Sequence, residues 1–298
     1  HIGFGHTLLR ITSEQEEEKQ PFTLDERVWI VADVRLDGRK ELVAAFQANG
    51  RVIDENRPDV ELLLHAYHVW DTACVEHLQG DFVFIIWDER QQRLFCGRDH
   101  FGILPFYYAQ VNNTLICSNT LNCIRLHPQV STDLNQQAVG DFLTRGMNKE
   151  WDTTIFNDIK RLPPAHTFTW QAGQSNPQEL TIQKYWQLPR VKPLIFYKKP
   201  QEYVEHFSEL FEQAVSDRLR TNRIATHISG GMDSTSIAAM ANQVILERGE
   251  PCDFQAFTMR DRLMMPEEDS FASMEAHYIG IPLNVINAEG KVCNAPAA

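Results

Sequence analysis

Hydrophobic and polar positions alternate with one rhythm in the first two thirds of the chain and another after it. From Val28 the run VWIVADVRL has the β-branched alternation of a strand, and GRKELVAAFQANG after it has the spacing of a helix closed by Gly50. In RPDVELLLHAYHVWD, Leu62, Leu63, Ala66, Val69 and Trp70 share one helical face, and Asp59 lies near the start, where a carboxylate complements the helix dipole. Four short strand-like runs follow, DFVFIIWDER, RLFCGRD, FYYAQV and TLICSN, with turn signals at Gln91–Gln92, His100 to Pro105 and Asn112–Asn113. HTFTW and LTIQKYW flank the turn-rich QAGQSNPQ. Residues 1–190 therefore read as a layered α+β domain, followed by a linker at 191–202.

The rhythm changes beyond the linker. QEYVEHFSELFEQAVSDRLR repeats apolar residues at Val204, Phe207, Phe211, Ala214 and Val215, the period of an amphipathic helix. RIATHI then reads as a buried strand, STSIAAMANQVILERG as a helix, DFQAFTM as a strand, EEDSFASMEAHYIG as a helix and PLNVINA as a strand. Such alternation predicts a parallel sheet in an α/β domain over residues 203–298.

Composition narrows the function classes. The chain has 298 residues, long enough for two cores, with 43% hydrophobic and 23% charged residues, values ordinary for a folded soluble protein. A net charge of -12 excludes a broad nucleic-acid surface and leaves room only for a local phosphate site. The run Glu14, Glu16, Glu17, Glu18 reads as a solvated loop. Six scattered cysteines without a C-x-x-C pair fit reduced thiols, and no apolar run reaches the roughly 18 residues of a membrane span, so a cytoplasmic location without a membrane partner is expected. His65 and His68 lack the further ligands of a zinc site, and Phe101, Phe106, Tyr107 and Tyr108 read as core.

The sharpest chemistry lies in HISGGMDSTSIAAMA, residues 227–241. Ser229, Gly230, Gly231, Met232, Asp233 and Ser234 sit where a parallel strand's carboxyl end meets a helix amino end, a place where orphan N–H groups attract phosphate oxygens. Two glycines let the backbone turn and approach an anion, and both serines can donate to it. Asp233 fits beside phosphates by holding Mg²⁺ or by capping the helix. No lysine follows the glycines, so this is not a Walker loop, and it is not a dinucleotide fingerprint either.

S-G-G-x-D-S after a strand resembles the pyrophosphate-binding loop of ATP pyrophosphatases. LQGDFVFIIWDERQQRLFCGRDHFGILPFYY and FNDIKRLPPAHTF with a later KYW resemble the glutamine-amidotransferase half of the asparagine synthetase family. The resemblance implies an Ntn amidotransferase-like αββα sandwich followed by an adenine nucleotide α-hydrolase-like ATP-pyrophosphatase domain, with ATP and Mg²⁺ as cofactors. It implies adenine contacts at Thr258 and Met259, and it matches Asp59 to the aspartate that holds the α-amine of glutamine. Arg98 and Asp99 can pair in the GRDHFG turn, which reads as scaffold.

This chain also departs from the family. Leu8 stands for the arginine after GH, and Asp33 and Val34, or Ala32 and Asp33, stand for the oxyanion-stabilising asparagine–glycine pair. The first cysteine is Cys74, so the amino-terminal nucleophile is missing from these residues and glutaminase activity is not expected of them. GHTLLRITSE with VADVRLDGRKEL resembles relatives that include lasso-peptide macrolactam cyclases. The expectation is an ATP-dependent ligase that adenylates a small-molecule or peptide carboxylate for an amine: ammonia, one derived from glutamine, or a peptide amino terminus. Glutamine-hydrolysing asparagine synthesis and a non-catalytic binding remnant stay open as alternatives. The absent family start and the absent second nucleotide motif lead to the expectation of a fragment, with the ATP-pyrophosphatase part truncated, and a shortened natural gene stays open as the alternative.

Overall fold

The computed structural model describes residues 1–171, 180–189, 195–260 and 268–287. It divides into two compact units, one of residues 1–10 and 14–191, the other of 11–13 and 192–298.

In unit 1, β1 (Phe22–Thr23), β2 (Val28–Asp37), α1 (Arg39–Ala48) and α2 (Asp59–Trp70) come first. They are followed by β3 (Gln79–Asp88), β4 (Arg93–Arg98), β5 (Tyr107–Val111), β6 (Thr114–Ser118), α3 (Leu121–Arg125), α4 (Gln136–Arg145), β7 (Ile159–Arg161), β8 (His166–Gln171) and β9 (Thr181–Lys184). One sheet has the order β1-β2-β3-β4-β8-β9 and a second has β6-β5-β7, with antiparallel neighbours throughout.

β3 shows why the run FVFII does not alternate with polar residues. Phe82, Phe84 and Ile86 join Leu42, Phe46, Leu62 and Leu63 of the helices in one core. Val83 and Ile85, on the opposite face, pack with Phe106, Tyr108 and Phe168 between the sheets. A further cluster of Ala109, Val111, Ile124 and Ile159 puts α3 on the outer side of the small sheet. The layers of unit 1 are thus helix, sheet, sheet, helix. At Gly97 on β4 an added Cβ would lie 2.5 Å from the Phe84 ring, so only glycine lets that ring cross the strand.

In unit 2, α5 (Pro200–Arg218), β10 (Arg223–His227), α6 (Met232–Arg248), β11 (Asp253–Arg260), α7 (Glu268–Ile279) and β12 (Leu283–Asn287) alternate, and the strands lie parallel in the order β10-β11-β12. Ala238, Ala241 and Val244 of α6 and Ala272 and Ala276 of α7 pack with Phe254 and Ala256 of β11. Small residues on both helices let them approach the sheet closely. Pro200 opens α5, whose start is fixed by the Lys199 N–H donating to Glu202 Oε2 at 2.9 Å.

Several expectations need correction. The face of α5 expected to be buried is not: Val215 is buried, but Val204, Phe207 and Ala214 are exposed and Phe211 is half-buried. β10 is an edge strand of the described sheet rather than a buried one; the fully buried residue is Ile228, just beyond it. Glu18 of the acidic run is buried at 3% exposure, and Phe101 of the aromatic run is 71% exposed. Arg98 and Asp99 do not form an ion pair within the distance of a salt bridge; Arg98 donates to the carbonyls of Gly102, Leu104 and Leu162, while Asp99 accepts from the N–H groups of Phe101, Ile103 and Leu104. β1, α3, α4 and β7 were not foreseen, each being short or lacking a sustained apolar period. No described helix is long and apolar enough to cross a membrane.

His65 and His68 lie on α2, with His65 Nδ1 and His68 Nε2 buried and without hydrogen-bond partners among the described residues, although His68 Nε2 lies 3.9 Å from an Asp25 carboxylate oxygen. Burial, with Arg51, His68 and Arg57 nearby, pushes the His65 pKa down to about 4. The fold therefore favours neutral His65, a contribution fully present above the unfolded value of about 6.5 and lost as pH falls toward 4. Thermal unfolding should show His65→Gln losing less stability than wild type between pH 6.5 and pH 4.5; parallel curves for the two proteins would refute this.

Candidate functional site

β10 delivers the loop, and β11 supplies its neighbour. The Ile228 N–H donates to the Phe257 carbonyl at 2.9 Å, carrying the parallel ladder one residue past the strand before the chain turns. Gly230 makes that turn at φ 78°, a backbone region in which a side chain is strained. Gly231 then takes the N-cap position of α6 in an extended conformation. The helix starts two residues earlier than its apolar period suggests, so Met232, Asp233 and Ser234 all lie in its first turn.

The loop satisfies its own hydroxyls. Ser234 Oγ accepts from the Ser229 N–H at 3.1 Å, lies 3.1 Å from Ser229 Oγ and donates to the Gly231 carbonyl at 3.2 Å. Thr235 Oγ1 also donates to the Gly231 carbonyl, at 2.8 Å. Among the described residues no side chain caps α6, which leaves the N–H groups of its first turn and the positive end of its dipole directed outward. Asp233 is exposed and has no hydrogen bond or ion pair among the described residues; Gly231, not Asp233, is the cap.

Thr258 and Met259 follow Phe257 on β11, so the structure brings them to the carboxyl ends of adjacent parallel strands with the loop. Met259 is 47% exposed, whereas Thr258 is 1% exposed and its hydroxyl has no hydrogen-bond partner among the described residues. Among the described residues no group of three or more His, Cys, Asp or Glu could hold a metal ion. A site of one carboxylate beside phosphates suits Mg²⁺, which keeps waters and substrate oxygens as most of its ligands. Asp233 fits that part.

Asp59 lies in unit 1, in the first turn of α2, and is 4% exposed. Its carboxylate does not cap that helix. It forms an ion pair with the Arg39 guanidinium and accepts the Leu36 N–H at 3.2 Å. Arg39 also donates to the carbonyls of Glu55 and Arg57, the latter at 2.7 Å. Nearby, the Gln20 amide grips both backbone groups of Ala32, accepting its N–H at 2.7 Å and donating to its carbonyl at 2.9 Å, while also donating to Glu18 at 2.7 Å. Burial raises the Glu18 pKa against the opposing effect of that Gln20 bond. Asp33 accepts from Asn119 Nδ2 at 3.2 Å.

Arg39, Glu18 and Gln20 escaped the sequence reading. Arg39 offered a signal: a cation at a helix amino end opposes the dipole and so calls for a carboxylate partner. Glu18 and Gln20 gave none, because nothing in an acidic run marks which residue folds inward. Burial raises the pKa of both Cys74 and Cys96, so neither is an activated thiol, and the Cys117 thiol lies beside that of Cys96.

Residues 1–186 match a family described as glutamine amidotransferase domain, and residues 206–284 match one described as asparagine synthase. Asparagine synthetase [glutamine-hydrolyzing] 3 of Bacillus subtilis is 29% identical over 81% of this chain and 38% of its own length. Amidase chry2 of Gibberella zeae is 26% identical over 97% of this chain and 43% of its own. The putative asparagine synthetase [glutamine-hydrolyzing] 2 of Methanocaldococcus jannaschii is 27% identical over 81% of this chain and 48% of its own. The chain thus spans less than half the length of each of these relatives.

The lone Thr258 hydroxyl carries a stability consequence. A buried hydroxyl without a partner costs about 1–3 kcal/mol, and valine keeps the shape without the polar group. Thr258→Val should therefore match or exceed the wild type in urea unfolding of unit 2; a loss above about 1 kcal/mol would show a hydrogen bond that the structure does not contain.

Proposed function

We infer, from a chain that belongs to the asparagine synthetase family, that the protein takes part in ATP-dependent amide formation by adenylating a carboxylate. The observation that carries this reading is the uncapped amino end of α6 behind Ser229–Gly230–Gly231, at the carboxyl end of a parallel strand within the part matched to asparagine synthase. In the proposed reaction a carboxylate oxygen attacks the α-phosphorus of ATP, and pyrophosphate leaves as the bond between the α- and β-phosphates breaks. An amine then attacks the acyl carbon, releasing AMP and a proton and forming the amide.

The residues have separable tasks in this reading. First-turn N–H groups of α6 and the Ser229 hydroxyl hold the pyrophosphate oxygens, charge stabilisation that needs no lysine. Asp233 would hold Mg²⁺, which supplies neutralisation of phosphate charge. Thr258 and Met259 bound the nucleoside end of the site. Asp59 belongs to the amidotransferase-like αββα unit and takes no part in these steps. The proposed domains are an amidotransferase-like part over 1–190 and a nucleotide-binding part that opens with α5 at Pro200, three residues before the expected 203.

The acceptor is a small-molecule or peptide carboxylate, and the amine comes from ammonia, glutamine or a peptide amino terminus. Macrolactam closure within a peptide is one form of the same chemistry. Asparagine synthesis from glutamine is the second reading, favoured by relatives whose names describe glutamine-hydrolysing asparagine synthetases.

Calorimetric titration with ATP and Mg²⁺ should give saturable binding that Asp233→Ala weakens by about tenfold or more without lowering the unfolding temperature. ATP–pyrophosphate exchange with L-aspartate as the probe carboxylate should fall by about 100-fold in the same variant. Wild-type protein that binds no ATP would refute the ligase reading; equal affinity in Asp233→Ala would refute the metal role alone.

A further inference from the structure

A free amino acid needs two counter-charges in a buried site, a carboxylate for its ammonium and a cation or N–H donors for its carboxylate. The buried carboxylates of unit 1, among the described residues, are Glu18, Asp59, Asp88, Asp99 and Asp141. Each is already engaged. Glu18 accepts from Gln20, and Asp88 from the Tyr67 hydroxyl and the Arg90 and Gln91 N–H groups. Asp99 accepts from three loop N–H groups, and Asp141 from Gln137 and the Lys149 N–H.

Asp59 is the most telling of the five. A guanidinium and the Leu36 N–H both bind it, and the guanidinium is itself anchored on the Glu55 and Arg57 carbonyls. An ammonium entering from solution would have to displace a cation that is covalently part of the unit, always charged and held by several acceptors. Arg39 has its own reason to stay: at the amino end of α1 its charge opposes the helix dipole, and Asp59 offsets it.

We propose that Arg39 is a built-in occupant of the Asp59 carboxylate, standing where an amino acid's ammonium would bind, so that among the described residues of unit 1 no buried carboxylate is left vacant as a counter-ion for free glutamine. The amine for amide formation then comes from free ammonia or from the acceptor substrate itself. This rests on the assignment of unit 1 as an amidotransferase-like domain and narrows the amine source. Because Arg39 and Asp59 both lie inside unit 1, a nucleophile brought from elsewhere would still meet a filled site.

Saturation-transfer NMR of the full chain with L-glutamine should show no saturable transfer. Arg39→Ala should unfold several degrees below wild type and regain part of that loss in millimolar methylguanidinium, but not in KCl of equal ionic strength. Asp59→Asn should be destabilised too, yet not restored by methylguanidinium. Saturable glutamine binding to the wild type overturns the proposal, as does Arg39→Ala that is as stable as wild type or that methylguanidinium fails to restore. If Arg39→Ala does not fold, Arg39→Lys, expected to lie between that loss and wild type, and the wild-type NMR titration decide. ATP binding in unit 2 is read separately, so its absence would fail the ligase reading while leaving this one standing.

Discussion

Burying a sheet on both faces is the constraint from which the rest of unit 1 follows. β3 has helices against Phe82, Phe84 and Ile86 and a second sheet against Val83 and Ile85, so neither face can carry polar side chains. Polar groups are pushed to the strand ends and edges, where backbone N–H and carbonyl groups still need partners. Gln20 serves Ala32 in that way, Asp59 serves Leu36, and Arg98 with Asp99 ties the turn after β4. The polar residues that a chemist would first suspect of catalysis are, in this unit, mostly engaged in finishing the sheet.

Unit 2 obeys a different rule. Its strands run parallel in sequence order, so successive right-handed crossovers place α6 and α7 on the same face of β11. All three strands then end at one edge, and the turn into α6 opens there. The position of the loop is a consequence of handedness and strand order, not of any residue in the loop. The glycines determine how sharply the chain turns there and how closely a ligand can approach it.

Much of this was legible in the chain. Alternating elements beyond residue 203 and the strand–glycine–helix junction at 229–234 need only local periodicity, and that is where sequence reading is strongest. What local pattern could not reveal was partnership across distance. Arg39 and Asp59 are 20 positions apart, and Gln20 and Ala32 are 12 apart. The apolar stripe of α5 shows the converse: a helical period identifies a helix, but it does not say that the stripe is covered. Leu8 and Asp33 were readable as departures from the family, while the internal filling of Asp59 was not.

The hydroxyl contact between Ser229 and Ser234 sets a threshold for admission. A ligand that takes either hydroxyl must first offer more than a neighbouring serine does. Water and neutral sugars gain little by the exchange, since their oxygens are acceptors of similar strength, whereas an anionic oxygen forms bonds roughly twice as strong. Anion selectivity can thus arise here without a cationic side chain, from two uncharged groups that prefer each other until something more basic arrives.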